Sequence, residues 1–193
     1  MKRILLAALL ATAVTVAASN AFAVSYTLDV PTSYTLNDRT PNGQNNGPVK
    51  HQTLNDVDGF KLLVAGSHHL GVGYERYEVK GRGTGGGGPF DFTTTFQFYD
   101  VVLDMPTRLL NFGLGYGKGT VNTAVSTSGA PNISQADVSQ WFGGVGIPFG
   151  EHFDIHVAYH QVTSEKQKVA NVGSPDSLNL SGHTLMAGVR LAW

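Results

Sequence analysis

The stretch HTLMAGVRLAW, residues 183–193, ends the chain and alternates in character up to its last residue. Every second position is apolar, and these positions are Leu185, Ala187, Val189, Leu191 and Trp193. The positions between them include Gly188 and Arg190. Because successive side chains of a β-strand point to opposite faces, the pattern predicts a strand with one apolar face and one face that carries charge and glycine. We interpret the apolar face as a surface for lipid and the other face as the lining of a closed barrel.

Seven earlier segments of the chain show the same alternation. They are residues 24–36, 57–65, 70–80, 92–103, 109–121, 137–147 and 152–162, and the last strand is residues 180–193. The connections are alternately long and short, which is typical of membrane barrels with long extracellular loops and short periplasmic turns. We therefore predict an all-β fold, an eight-stranded antiparallel up-and-down transmembrane β-barrel.

Two segments break the regular pattern. Pro31 cannot donate a hydrogen bond to a sheet, so we expect the first strand to be irregular at that point. Residues 81–89, with the sequence GRGTGGGGP, are rich in glycine and are predicted to form a flexible loop between the third and fourth strands.

The composition excludes several classes of site. The chain of 193 residues has no cysteine, which excludes disulfides, thiolate metal ligands and a thiol nucleophile. Its formal net charge of −1 does not suggest a nucleic-acid partner. Charged residues make up only 14% of the chain and 24 residues are glycine, which fits a barrel with a crowded interior. A soluble barrel such as a lipocalin would instead carry its charges outside and its large apolar side chains inside.

The N-terminal segment has the pattern of a secretory signal peptide. Lys2 and Arg3 form a basic start, residues 4–18 are apolar, and the small residues Ala21 and Ala23 flank Phe22. We predict that residues 1–23 are cleaved and that residues 24–193 form the outer-membrane barrel.

Charged and imidazole side chains fall on the face opposite the apolar one. This predicted polar network of the lumen consists of Asp29, Lys61, Glu75, Asp154, His156, His160 and Arg190. An eight-stranded barrel is only just wide enough for side chains to fill it. Because an unpaired buried charge costs several kcal/mol, we expect the two cations to pair with the three carboxylates and to plug the barrel.

The aromatic residues leave one question open. Asp100 has the same parity as Phe96 and Phe98, so either these aromatic rings face inward with it or a bulge changes the face between them.

Other aromatic residues fall on outward positions, several of them near strand ends, as the girdles of a membrane barrel require: Tyr26, Tyr74, Phe112, Tyr116, Trp141, Phe153, Tyr159 and Trp193.

Two sets of residues are of the kinds found in metal-binding or catalytic sites. Asp154, His156 and His160 share one strand face, where they could relay protons or bind a metal, although such groups are more often structural pairs. His51 in the first loop and Asp176-Ser177 in the last match the residue types of a lipid A palmitoyltransferase, and a match of this length is weak. We predict no catalytic, cofactor-binding or metal-binding residue.

The terminal strand resembles the C-terminal strand of bacterial outer-membrane β-barrels. In that family a final aromatic residue with apolar residues at alternate positions is the membrane-insertion signal, and Leu185, Val189, Leu191 and Trp193 match it. Phe is the usual last residue, so Trp193 is a departure. With its leader, strand number and loop asymmetry, the whole mature chain resembles the OmpA/OmpX and opacity-type barrels.

The resemblance implies a place in the outer membrane of a Gram-negative bacterium, in contact with outer-membrane lipid and lipopolysaccharide. It implies assembly with the help of periplasmic chaperones and the barrel-assembly machinery, and no nucleic-acid partner. Members of the family are structural anchors, adhesins or evasion factors, and sometimes narrow channels. We therefore expect a non-catalytic structural or surface-interaction protein that acts through its extracellular loops on an unidentified ligand. The alternatives are a narrow porin-like pore or a channel for small hydrophobic solutes and, with less support, an enzyme that modifies lipid A.

Overall fold

The computed structural model describes residues 24–37, 52–66, 69–85, 88–107, 109–126, 132–170 and 176–193. The predicted signal peptide, residues 1–23, lies outside these residues. Within the described part of the chain, no helix is long and apolar enough to cross a membrane.

Eleven strands occur in the described residues, and eight of them close into an antiparallel barrel. The barrel strands are β1 (Ser25–Leu36), β2 (Gln52–Ala65), β3 (Leu70–Gly85), β4 (Gly88–Met105), β5 (Asn111–Val125), β7 (Ala136–Phe149), β8 (Phe153–Ser164) and β11 (Gly182–Ala192). Neighbours along the chain pair with each other, and β11 closes on β1. The predicted eight-stranded antiparallel barrel is confirmed.

Both described ends of the chain lie at one end of the barrel. The amide of Val24 donates to the carbonyl of Trp193 at 2.9 Å, and the amide of Trp193 donates back at 3.1 Å. The short connections between β2 and β3, β4 and β5, and β7 and β8 lie at the same end. The last of them requires glycine, because Gly150 has a φ of 76° in the left-handed region. We call this end the terminal end and the opposite end the loop end.

The glycine-rich stretch is mostly strand, so the prediction of a flexible loop over residues 81–89 is wrong for 81–85 and 88–89. The ladder between β3 and β4 continues through Arg82–Asp91 and Gly85–Gly88. Gly81 is needed here because a Cβ would lie 2.4 Å from the ring of Phe92. Arg82 Nε donates to Asp91 Oδ1 at 2.8 Å on the exposed surface, and this bond lowers the pKa of Asp91 from its usual value.

A second sheet was not predicted. It consists of β6 (Asn132–Ile133), β9 (Gln167–Ala170) and β10 (Asp176–Leu178), which belong to two segments that the sequence suggests are polar loops. Such short strands carry too few alternating residues to be recognised. The sheet lies at the loop end and contributes Leu178 and Ile133 to the apolar interior.

β1 is irregular where Pro31 predicts it. The register with β11 shifts between Pro31 and Ser33, as expected for a residue that lacks an amide hydrogen. The described ladder between β1 and β2 covers only the pairs from Ser25–Ala65 to Asp29–Lys61. Toward the loop end, β1 keeps its pairing with β11 as far as Leu36.

The barrel exterior changes from apolar to polar at an aromatic residue on six strands. We call these residues the aromatic belt: Phe60, Tyr74, Tyr99, Tyr116, Trp141 and Tyr159. On each strand the next outward residue toward the loop end is polar, and these residues are Asp58, Arg76, Gln97, Lys118, Ser139 and Gln161. Toward the terminal end the exterior is an apolar band that includes exposed Val72, Val101 and Leu114.

The interior changes in the opposite sense. Toward the terminal end it holds buried charges such as Lys61 and Asp154, and toward the loop end it holds buried aromatic and aliphatic side chains. Phe96, Phe98 and Asp100 are all buried on the same face of β4, so the rings face inward and no bulge separates them. The first of the two alternatives for this strand is therefore correct.

Candidate functional site

The seven residues of the predicted polar network all lie on the lumen side of the barrel, in two groups. The terminal group contains Asp29, Asp154, His156 and Arg190, and the central group contains Lys61, Glu75 and His160. All are buried except His156, which is partly exposed. Four polar partners outside the predicted network complete the groups: Asp100, whose facing the sequence left open, and Asp104, Asn111 and Gln140, which the sequence analysis missed.

The central group is built around a single cation. Lys61 Nζ lies 3.3 Å from Glu75 Oε2 and 3.2 Å from Asp100 Oδ2, and the three side chains are almost completely excluded from solvent. Register explains the contact, because Lys61 lies directly opposite Glu75 in the β2–β3 ladder. A buried ammonium between two carboxylates is stabilised by both, and the loss of any member leaves the others without compensation.

Gln140 ties the two carboxylates together. Its Nε2 donates to Glu75 Oε2 at 2.8 Å and to Asp100 Oδ1 at 2.9 Å. Its Oε1 lies 3.1 Å from His160 Nδ1. Because an amide oxygen can only accept, His160 must carry its proton on Nδ1 for this bond to form. A side chain that donates at one end and accepts at the other thus fixes the tautomer of the histidine.

Phe142 packs against two members of the central group. Lys61 Nζ lies 3.1 Å from the centroid of its ring, a cation–π arrangement. The ring of His160 stacks on Phe142 with centroids 4.8 Å apart. Gly115 on the neighbouring strand makes room for the ring, since a Cβ there would lie 2.1 Å from its tip.

The terminal group is built around Arg190 and Asp154. Arg190 Nε lies 2.7 Å from Asp154 Oδ2, and its Nη1 donates to Asp104 Oδ2 at 2.5 Å. His156 bridges two carboxylates, with Nε2 bonded to Asp29 and Nδ1 3.3 Å from Asp154 Oδ1. Asn111 Nδ2 adds a bond of 2.7 Å to Asp154 Oδ2. The group is therefore a connected network rather than a set of separate pairs.

A small cavity lies between the two groups. Its volume is about 60 Å³, and Asp29, Lys61, Phe142 and His156 contribute to its wall. A site of this size and polarity has room for ordered water, because a single water needs only about 10–15 Å³ of such space. Residues of both groups line it, so it connects the terminal group to Lys61 of the central group.

The loop-end half of the lumen is filled by apolar side chains. The rings of Tyr77 and Phe96 stack with centroids 4.9 Å apart, and Tyr34 packs on Phe96 at 5.1 Å. Tyr34 Oη donates to the carbonyl of Leu180 at 2.5 Å, which ties β1 to the segment before β11. Further buried members of the cluster are Phe98, Val121, Val138, Val162 and Leu178.

A polar layer caps this cluster at the loop end. Thr123 Oγ1 donates to Gln167 Oε1 at 2.9 Å, and Gln167 Nε2 donates to the carbonyl of Val121 at 3.1 Å. Thr94 lies 3.0 Å from Thr123 through their hydroxyl oxygens. Gln167 belongs to β9, so the small sheet contributes to this polar layer.

The residues of the predicted insertion signal lie on the exterior. Leu185 and Trp193 are exposed, and Val189 and Leu191 are partly exposed on the same face of β11. Trp193 meets Tyr26 edge to face, with ring centroids 6.4 Å apart. The two rings mark the terminal edge of the apolar band at the closure between β1 and β11.

The residues considered for chemistry are not assembled into a site in the described part of the chain. Asp154 and His156 belong to the terminal group, whereas His160 belongs to the central group. No cluster of three or more His, Asp or Glu side chains there is arranged to hold a metal ion. His51 and the side chains of Asp176 and Ser177 lie outside the description.

Comparison with known proteins gives a likeness in structure. No protein-family model matches the chain, and no curated protein matches its sequence. Among solved structures, the crystal structure of neisserial surface protein A matches over 89% of this chain and 97% of its own length. The TM-score is 0.51 and the sequence identity is 13%. The chain has the fold of an eight-stranded outer-membrane barrel. At this identity the likeness concerns the fold alone.

Proposed function

We propose that this protein is a non-catalytic outer-membrane barrel of a Gram-negative bacterium, with a plugged lumen and a surface role. The observation that carries the proposal is the filled interior, in which two charge networks and an apolar cluster follow one another from the terminal end to the loop end. The reversal of the exterior at the aromatic belt supports a membrane boundary there, because apolar surface belongs in lipid and polar surface in water.

The part beyond the aromatic belt is the proposed interaction region. It comprises the loop-end portions of β3 and β4, which extend to Gly85 and Gly88, and the small sheet of β6, β9 and β10. Its interior continues the apolar cluster of the barrel lumen, which includes Leu178 of the small sheet, so it can present a rigid surface to an extracellular ligand. The name of neisserial surface protein A describes a protein of the cell surface, which agrees with this role. Insertion through Leu185, Val189, Leu191 and Trp193 would require the barrel-assembly machinery and periplasmic chaperones.

Conductance separates the plugged barrel from the narrow-pore alternative. The purified protein in planar lipid bilayers is expected to give no defined single-channel steps, because Lys61, Glu75 and Phe96 are fully buried and fill the section of the barrel. A porin reconstituted in the same way serves as the positive control. Reproducible steps of one size would rule out the plugged lumen.

The membrane boundary can be tested with two substitutions on one strand face. Val101→Arg places a cation in the middle of the apolar band and should destabilise the barrel in lipid vesicles by about 2–4 kcal/mol. Gln97→Arg lies on the same face of β4, beyond Tyr99, and should change the free energy of unfolding by less than about 0.5 kcal/mol. The measurement is equilibrium unfolding in urea, followed by tryptophan fluorescence. Equal costs for the two variants would contradict a boundary at Tyr99.

A further inference from the structure

A groove crosses the exterior of β2, β3, β4 and β5, at the aromatic belt and the adjoining apolar band. Val64, Val72 and Val101 line it together with the belt residues Tyr74, Tyr99 and Tyr116. Tyr99 packs on Tyr74 with ring centroids 5.5 Å apart, and Tyr116 packs on Trp141 at 4.7 Å. Tyr99 remains 73% exposed, so one of its faces is free to meet a ligand.

Lys118 stands at the loop-end edge of this groove. It lies directly opposite Tyr99 in the β4–β5 ladder and is exposed. None of the ion pairs between described residues includes Lys118, whereas Arg76 pairs with Glu78 at 3.6 Å and Arg82 with Asp91 at 2.8 Å. The groove therefore combines an apolar channel with a cation whose charge no protein group compensates among the described residues.

The chemistry that fits this arrangement is an acyl chain joined to an anionic headgroup. Aromatic belts lie at the level of the headgroups, and a lysine near that surface attracts anionic lipid. Lys118 is on the loop-end side of the belt, and in a barrel with short turns at its terminal end that side faces the outer leaflet. The anionic lipid of the outer leaflet in a Gram-negative bacterium is lipopolysaccharide, which carries phosphates on its lipid A.

We propose that the groove across β2 to β5 docks an acyl chain of lipopolysaccharide and that Lys118 binds a lipid A phosphate. This inference rests on the proposed membrane location. Val101 contacts the chain, Tyr99 and Tyr116 flank it, and Lys118 selects the phosphorylated headgroup. The site is thus a lipid-binding surface on the outside of the barrel, separate from the lumen and from the extracellular region.

The test measures lipid A binding to the folded protein in nanodiscs of zwitterionic lipid. Lys118→Gln should weaken binding about fivefold, the factor expected for one lysine near a membrane surface. Lys80→Gln is the matched control, since Lys80 is also exposed on β3 but lies far beyond the belt, and it should bind as the unmodified protein does. Heat-modifiable migration in electrophoresis checks that both variants are folded.

Dephosphorylated lipid A tests whether Lys118 recognises the phosphate of the headgroup. The unmodified protein should bind dephosphorylated lipid A about as weakly as the Lys118→Gln variant binds lipid A. The Lys118→Gln variant should bind the two lipids with the same affinity. Undiminished binding of lipid A to Lys118→Gln would overturn the proposal, as would an equal loss in Lys80→Gln. Equal affinity for phosphatidylglycerol would overturn the assignment to lipopolysaccharide. The proposed membrane location is tested separately. It would be wrong if Val101→Arg and Gln97→Arg lowered the free energy of unfolding in vesicles by the same amount.

Discussion

Replacing Lys61 by Met is expected to lower the free energy of unfolding by about 3–5 kcal/mol, the largest effect of any single substitution discussed for this barrel. The methionine keeps the packing on Phe142 but leaves Glu75 and Asp100 buried on either side of a site without a cation. Two carboxylates in that position repel each other and are excluded from bulk solvent. Equilibrium unfolding in urea, in lipid vesicles, measures the effect.

A triple variant shows how much of the loss of stability comes from unpaired charge and how much from altered packing. Lys61→Met combined with Glu75→Gln and Asp100→Asn removes all three charges and should recover most of the lost stability, since a buried ion network can often be replaced by neutral groups at little cost. Lys80→Met removes an exposed lysine and should change stability by less than about 0.5 kcal/mol. If Lys61→Met is as stable as the unmodified protein, the central group does not hold the barrel together.

Replacing Arg190 by Leu is expected to cost about 3 kcal/mol, at the lower end of the range for a broken buried ion pair. Arg190 is 8% exposed, and its partner Asp104 is accessible enough for water to reach it when the guanidinium is gone. Asp154 keeps Asn111 and His156 as partners, which also limits the loss. The expected readout is a lower temperature at which the folded form disappears in heat-modifiable electrophoresis.

Arg82→Leu is the matched control for Arg190→Leu. It removes the same side chain from an ion pair, with Asp91, in which both members are well exposed. Exposed pairs contribute little because water and salt screen them, so the folded form should disappear at nearly the temperature of the unmodified protein. Unchanged migration of Arg190→Leu over the full temperature range would argue against a stabilising terminal group.

The facing of side chains was predicted correctly on strands where apolar residues point outward and polar residues point into the lumen along the predicted strand. β11 alternates to the terminal edge because its exterior is apolar from Leu185 onward, while its lumen side carries Gly188 and the buried charge of Arg190. On β4 this arrangement changes within the strand, so Phe96, Phe98 and Asp100 could not be assigned together from parity. The prediction for the glycine-rich residues 81–85 was wrong for another reason. Gly81 makes space for the lumen side chain of Phe92, and composition alone cannot distinguish such a glycine from one in a flexible loop.

The polar network was only partly visible in the sequence. Lys61 and Glu75 share a face and lie on adjacent strands, so their nearness follows from register once the hairpin is assigned. Gln140 is separated from Glu75 by 65 residues and from Asp100 by 40, and its bonds depend on the closure of the barrel. A neutral amide gives no signal in a search for charges, although here it joins both carboxylates and a histidine.

The change of faces at the aromatic belt means that one chain is adapted to two solvents. Its mean hydropathy of −0.05 averages two opposite arrangements and describes neither of them. The position of the belt residue in each strand is more informative, because the exterior changes there from apolar to polar. On β4 that residue is Tyr99, with Val101 in the apolar band on one side and Gln97 in the polar exterior on the other. Each of the six strands with a belt residue therefore carries its own mark of the proposed membrane boundary.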